Sequence, residues 1–317
     1  ATLLIVTALC AGKEVIVSRG QLIEIGGSYR LPDCVHQGGA TLVEVGTTNK
    51  THLRDYENAL SDRTGAILRV NPSNYRIVGF AEEVPIAELV KLKKKQPVLV
   101  IDDLGCGALV DLRAYGLPHE PTVQESMAAG ADLACFSGDK LIGGPQSGII
   151  VGRKDLVQRI RKHPLARMLR VGKLTAMALE HALRLFLDPD SLLEKHPTLH
   201  MLTADARGLK RRADALKKLV PAGNAAWHLT VREDTSEVGG GSLPAFPLKT
   251  YVLAVSADGL SAERLCRLLR EHEPPIIARI REDEVLLDMR TLMDGDDDVV
   301  VRALSGLARS SGDAGPS

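Results

Sequence analysis

Short runs of β-branched and aliphatic residues recur through the first half of the chain: EVIVS at 14–18, TLVEV at 41–45, GAILRV at 65–70, PVLVID at 97–102, DLACFS at 132–137 and SGIIVG at 147–152. Helical periodicity separates them over 52–60, 84–95 and 121–129, and the apolar segment that opens at Ala1 also reads as helix. This strand, helix, strand rhythm predicts an α/β domain whose mostly parallel sheet is covered on both faces. In such sheets ligands lie beyond the carboxyl ends of the strands, so the polar, Gly-rich loops after 100–103 and 135–137 are where chemistry is to be sought.

From about residue 154 the pattern changes. Helices are expected over 154–163, over 173–187, with Leu174, Met177, Ala178 and Leu185 on one face, and over 199–219. Pro221 and Gly223 close the last of these. Strands then return at 227–232, 250–256, 276–280 and 284–288 around a helix at 261–271, the order of a small α+β domain. The expected organisation is a large domain over 1–190, a connecting helix over 191–221, a small C-terminal domain over 222–309 and a disordered tail over 310–317, where the residues turn small and polar.

Composition narrows the function classes. With 44% hydrophobic and 25% charged residues the chain can build a core, and 317 residues favour a large domain with an appendage. Lys plus Arg and Asp plus Glu both number 40, so no long-range field gathers nucleic acid or anionic membrane, and any polyanion site must be local. No apolar run approaches the roughly 18 to 20 residues of a membrane span, and the opening segment lacks a basic leader and cleavage site, so the chain reads as cytoplasmic. Five scattered cysteines with no C-x-x-C pair read as reduced thiols. Because the first residue is Ala1 within a helical pattern, the expectation is that an N-terminal part is missing.

The most informative stretch is 136–148, FSGDKLIGGPQSG, which follows one apolar strand and leads into another. A lysine at a strand end among Gly138, Gly143, Gly144 and Gly148 can be partly desolvated and act as an amine nucleophile, the requirement for a Schiff base to pyridoxal phosphate. Ser137, three residues earlier, could donate to the cofactor phosphate. The competing reading is a Gly-rich turn with a solvated Lys140, and on the local pattern alone the two weigh equally. Upstream, PVLVID runs into Asp102 and Asp103, then Gly105, which places carboxylates at a strand end. A pyridoxal enzyme of the aminotransferase type needs one there to keep the pyridine nitrogen protonated. Asp103 is the choice for that role, and Asp102 is equally suited to capping or to facing solvent. Carboxylate, short βαβ interval and Ser-Gly-x-Lys are specific in combination, though neither half is alone.

Residues 158–173 contain Arg159, Arg161, Lys162, His163, Arg167, Arg170 and Lys173 with no acidic residue. If this stretch is helical, Arg167 and Arg170 share a side and could clamp a phosphate-like oxyanion; a solvated helix face is the ordinary alternative. No metal site is expected: His196 and His200 flank Pro197 without a third ligand, and Asp294, Asp296, Asp297 and Asp298 better supply N-terminal charge to the last helix. Aromatics at 3% give no stacking platform for single-stranded nucleic acid.

These motifs resemble bacterial selenocysteine synthase, the L-seryl-tRNA(Sec) selenium transferase family. The resemblance rests on 12–33 (GKEVIVSRGQLIEIGGSYRLPD), 44–51 (EVGTTNKT), Asn74-Tyr75, 103–107, 136–152 (FSGDKLIGGPQSGIIVG), 163–175 (HPLARMLRVGKLT), 239–244 (GGGSLP) and the region 275–290, so it covers nearly the whole chain. It implies a fold-type I pyridoxal 5'-phosphate transferase, aminotransferase-like, assembled as a homo-oligomeric ring of dimers. It further implies Lys140 as Schiff-base lysine and proton shuttle, Asp103 as pyridine-nitrogen partner, Ser137 and Gly105 as cofactor contacts, and Arg167 and Arg170 as selenophosphate contacts. The implied reaction converts L-seryl-tRNA(Sec) to L-selenocysteinyl-tRNA(Sec) by β-elimination to dehydroalanyl-tRNA and selenium addition. Members also carry an N-terminal tRNA-binding domain and a phosphate-holding loop ahead of the position of Ala1, so this chain is expected to be N-terminally truncated and weakened in both bindings. Two alternatives stand beside it. One is a related pyridoxal ammonia-lyase acting on an aminated sugar-acid phosphate, and the other is a catalytically incompetent homologue serving as an assembly subunit.

Overall fold

The computed structural model describes residues 1–221, 227–239 and 241–310, with side chains to 307. Gly223, Gly240 and the expected tail beyond Ser310 lie outside the described residues. The chain forms two compact units, Ala1–His200 with Val238–Phe246, and Met201–Glu237 with the chain from Pro247 onward. No helix among the described residues is long and apolar enough to cross a membrane.

The strands of the first unit are β1 (Glu14–Ser18), a short pair β2 (Glu24–Ile25) and β3 (Tyr29–Arg30), β4 (Thr41–Val45), β5 (Thr64–Val70), β6 (Leu99–Gly105), β7 (Leu133–Ser137) and β8 (Gly148–Gly152). Six of them make one sheet in the order β4-β1-β5-β6-β7-β8, parallel except for the edge strand β8. The apolar runs serve both faces because successive side chains alternate. Val15, Val17, Leu68 and Ile101 pack on one face with Ile5, Val6 and Leu9 of α1 (Thr2–Cys10). Ile16, Ile67 and Val100, one residue out of step, pack on the other with Tyr56, Leu89 and Leu92. Each such side chain, once buried, contributes about 1.5–3 kcal/mol.

Helix α2 (Leu31–Gln37) follows β3, α3 (Leu53–Ala59) follows β4, α4 (Ile86–Lys91) precedes β6 and α5 (Val123–Ala128) precedes β7. Local chemistry sets the start of α5. Thr122 accepts from the Glu125 N–H at 3.1 Å while the Glu125 carboxylate accepts from the Thr122 N–H at 2.8 Å, a reciprocal capping box. After β8 come α6 (Lys154–Lys162), α7 (Pro164–Leu169), α8 (Lys173–Leu185) and α9 (Leu192–Lys195). Helix α8 turns Leu179, Ala182 and Leu183, with Phe186 just beyond its end, toward Phe136 and Ile142, while Leu174 and Met177, on the face read from sequence, are exposed.

The expected connecting helix over 191–221 is three helices: α9, α10 (Pro197–Thr203) and α11 (Ala206–Leu219). Pro197 starts a new helix because it cannot continue the preceding one, and Asp205 caps α11 through the Gly208 N–H at 2.9 Å. In the second unit α11 lays Leu209, Ala213 and Leu216 against β10 (Leu248–Ala257). That strand pairs with β9 (Trp227–Ser236) on one side and β12 (Glu284–Asp288) on the other, and β11 (Arg279–Arg281) completes an antiparallel sheet β11-β12-β10-β9. The division therefore falls after His200, because α11 shares this core, and the segment Val238–Phe246 between β9 and β10 returns to the first unit. Helix α12 (Ala262–Glu271) packs beneath the sheet, and α13 (Asp296–Ser310) opens on Asp296, Asp297 and Asp298, the acidic first turn expected for a helix N-terminus.

Asp132 ties the sheet to its surroundings. Its buried carboxylate accepts from Lys93 at 2.7 Å, Arg153 at 3.0 Å and the Val100 N–H at 2.9 Å. Burial by itself would raise this carboxyl, but the hydrogen bonds from Lys93, Val100 and Arg153 hold it below the ordinary value of about 3.9. A depressed folded-state value gives stability that is present above the unfolded value and is lost as pH falls through the folded one. Denaturant titrations should show this loss below about pH 4, and Asp132→Asn should be less stable at neutral pH with a flatter acid limb. Parallel acid limbs for the two proteins would contradict the assignment.

Candidate active site

Strands β6 and β7 are neighbours and run parallel, so their carboxyl ends open on the same side of the sheet. The two acidic residues near the end of β6 part company there, as strand alternation requires. Asp102 is fully buried and points away from the cavity, accepting from Arg69 at 2.9 Å and from the Ser126 hydroxyl at 2.5 Å. Asp103 faces a cavity of about 240 Å³ that is also lined by Gly105, Ser137 and Lys140. Four of the positions singled out from sequence are thus brought together, from two strand ends and the loop that follows one of them.

The Asp103 carboxylate accepts from the Thr2 hydroxyl at 2.8 Å and from the Gly105 N–H at 3.2 Å. Burial raises this carboxyl above the ordinary carboxylate range, and those two hydrogen bonds offset part of the rise. A buried acidic group of this kind can take a hydrogen bond from a protonated ring nitrogen and hold its charge in place. The Lys140 amine, on the same cavity, makes no hydrogen bond or ion pair among the described residues, although buried Glu120 acts on it through charge alone. That leaves the amine available to an electrophile in the cavity.

The lysine loop is held by its own backbone and by one histidine. The Gly138 N–H donates to the Ser147 carbonyl at 2.9 Å, and the Gly144 N–H donates to the Gly138 carbonyl at 2.8 Å, which folds the segment between β7 and antiparallel β8. Buried His196 places Nε2 at 2.9 Å from the Ile142 carbonyl, and its ring meets Phe186 edge-on at 5.1 Å. Gly143 has φ of +66°, and a Cβ there would lie 2.8 Å from the His196 ring, so this turn requires glycine. His196 is therefore structural, as its sequence setting suggested.

Arg167 and Arg170 are not brought to this cavity. Helix α7 ends at Leu169, and Arg170 is the residue that closes it (φ −61°, ψ 139°). Both are exposed, and neither lines the cavity. The cavity wall also contains residues that sequence reading did not select: Thr2, Tyr29, Asn71, Ser73 and Cys135. Thr2, Tyr29 and Asn71 arrive from distant elements, and only the match of 12–33, which includes Tyr29, gave a signal for any of them. The Cys135 thiol lies 3.9 Å from the Thr2 hydroxyl and is pushed well up by burial, so it is an inert part of the wall.

A doubly covered sheet carrying, at adjacent strand ends, a buried acidic group and a lysine that forms no ion pair among the described residues defines the class: a fold-type I pyridoxal phosphate enzyme fold. A solved D-glucosaminate-6-phosphate ammonia-lyase shares it with a TM-score of 0.59 at 21% identity, over 98% of this chain and 79% of that one. The family model for SelA, L-seryl-tRNA selenium transferase, matches residues 1–293, and the chain belongs to that family. L-seryl-tRNA(Sec) selenium transferases from Alkaliphilus oremlandii and Carboxydothermus hydrogenoformans are each 47% identical to it over 96% of its length. The enzyme of that name from Alkaliphilus metalliredigens is 48% identical over 98%. The chain spans 65–66% of the length of these three relatives.

Proposed function

We propose that this chain carries the pyridoxal phosphate site of an enzyme that converts L-seryl-tRNA(Sec) to L-selenocysteinyl-tRNA(Sec) with selenophosphate as selenium donor. The observation that carries the reading is the convergence of Lys140 and Asp103 on one cavity, in a chain nearly half identical to transferases of that name. When bound, the cofactor supplies an electron sink that lets the seryl α-proton and β-hydroxyl leave and selenium take the β-position. Lys140 would hold the cofactor through its amine, and the same amine, when free, would serve as the base for the α-proton. Asp103 holds the ring-nitrogen proton, with Thr2 and the Gly105 N–H fixing the carboxylate. Ser137 ends β7 and lines the cavity, which supports a role for its hydroxyl as a donor to the cofactor phosphate.

Arg167 and Arg170, exposed and without ion-pair partners among the described residues, offer their charge to an oxyanion such as selenophosphate arriving at that surface. Next to them Met168, Leu169, Val171, Leu174 and Met177 are all exposed, at 41–77% of their surfaces. So much apolar surface within ten residues supports a homo-oligomer that covers it. Light scattering should report at least a dimer, with Leu174→Glu plus Met177→Glu shifting the mass toward the monomer. A wild-type monomer would contradict the assembly. A cytoplasmic location accords with a tRNA-borne substrate.

The activity itself is tested by incubating the protein with pyridoxal phosphate, seryl-tRNA(Sec) and ⁷⁵Se-labelled selenophosphate. The reading expects label esterified to tRNA as selenocysteine. Cofactor-loaded protein that leaves the serine unchanged would overturn it. The ammonia-lyase alternative has no observation in its favour beyond shared fold.

A further inference from the structure

A second cleft lies against the Lys140 cavity in the first unit. It encloses about 490 Å³, within the roughly 300–1,000 Å³ of small-molecule sites, and is lined by Asn71, Tyr75, Arg76, His119 and Phe246 among others. Two features join the cleft to the cavity. Asn71 lines both. The strap 241–246 also runs between them: Gly241 lies so close to Lys140 that a Cβ would stand 2.7 Å from Nζ, while Leu243, Pro244 and Phe246 line the cleft. The strap is held in an unusual backbone course, with φ of +124° at Gly241, +47° at Leu243 and +56° at Ala245. Buried Glu120, which also lines the cleft, accepts from the Leu243 N–H.

We propose that this cleft seats the 3'-terminal adenosine of the aminoacyl-tRNA while its serine reacts at Lys140. The inference rests on the seryl-tRNA reading and adds to it the place of the nucleoside. An aminoacyl ester joins the amino acid directly to the terminal ribose, so a serine engaged at Lys140 obliges its adenosine to lie in the next available space. That space is the cleft beyond the strap. Although aromatics are only 3% of the chain, the fold gathers Tyr75, His119 and Phe246 in this cleft as surface on which one base can stack, and the Tyr75 hydroxyl is fixed by donating to the Gly20 carbonyl. Arg76, exposed and without an ion-pair partner among the described residues, suits the 5'-phosphate, and exposed Glu83 in the same cleft can accept from a ribose hydroxyl.

The test uses adenosine 5'-monophosphate as titrant and its 8-azido derivative as a photolabel. Labelled peptides should contain Tyr75 and Arg76 or the strap through Phe246. Phe246→Ala should weaken nucleotide binding about 10-fold and Phe246→Trp should retain it, as stacking requires. Arg76→Ala should weaken the monophosphate about 5-fold and leave adenosine unchanged. Labelling elsewhere, absence of nucleotide binding by folded protein, or affinity indifferent to Phe246 overturns the inference. Cofactor trapping at Lys140, measured separately on the wild type, tests the pyridoxal reading; a label in the cleft supports the nucleoside seat whichever way that trapping turns out.

Discussion

Lys140→Ala is expected to lose all cofactor that borohydride can fix to the chain, and to slow selenium transfer by at least about 100-fold, the lower end of what a positioned acid–base group supplies. The loss should be larger than for any other single change in the cavity, because one amine performs two tasks. It holds the cofactor, and after release it is the base nearest the α-carbon. The fold should survive, since the Lys140 amine makes no hydrogen bond or ion pair among the described residues and the loop is held by Ser147, Gly138 and His196. Circular dichroism and denaturation midpoints near wild type would establish that. Added primary amines should restore part of the rate. A variant that retains borohydride-fixed cofactor would show that another lysine is the nucleophile.

The second large effect separates two adjacent residues. Asp102→Ala removes the buried partner of Arg69, which is itself only 13% exposed, and should cost about 3–5 kcal/mol of stability, the usual result of leaving a buried charge alone. Asp103→Ala removes a carboxyl that folding already holds at a raised pKa, so its stability should change little. Its cofactor affinity and transfer rate should each fall at least about 10-fold as the ring nitrogen loses its partner, a change of about 1.4 kcal/mol or more. Urea titration and cofactor titration on both variants check the pair. The reverse pattern, a destabilised Asp103→Ala beside an inactive but stable Asp102→Ala, would contradict the geometry.

The strands of the large unit were legible because parallel strands buried on both faces leave uninterrupted apolar runs, as in 65–70 and 97–102. Helix α2 was not, since Leu31–Gln37 is short and has Pro32 in its first turn, giving no helical period to read. Asp103, Ser137 and Lys140 could be found because strand ends concentrate chemistry. The rest of the wall could not: Thr2, Tyr29 and Asn71 reach the cavity only through tertiary packing. Arg167 and Arg170 stand exposed and away from the cavity that Lys140 lines, a separation that a charge pattern does not mark. The stretch GGGSLP is family-like in sequence, but the approach of the strap 241–246 to Lys140 depends on contacts invisible in one dimension.

If Lys140 is the amine that holds pyridoxal phosphate, mixing the protein with the cofactor, reducing with borohydride and mapping the modified peptide by mass spectrometry should find the reduced cofactor on Lys140. A visible absorbance band that reduction abolishes should accompany it. A folded protein that takes no label, or takes it on a lysine outside the cavity such as Lys154 or Lys173, would contradict that role for Lys140.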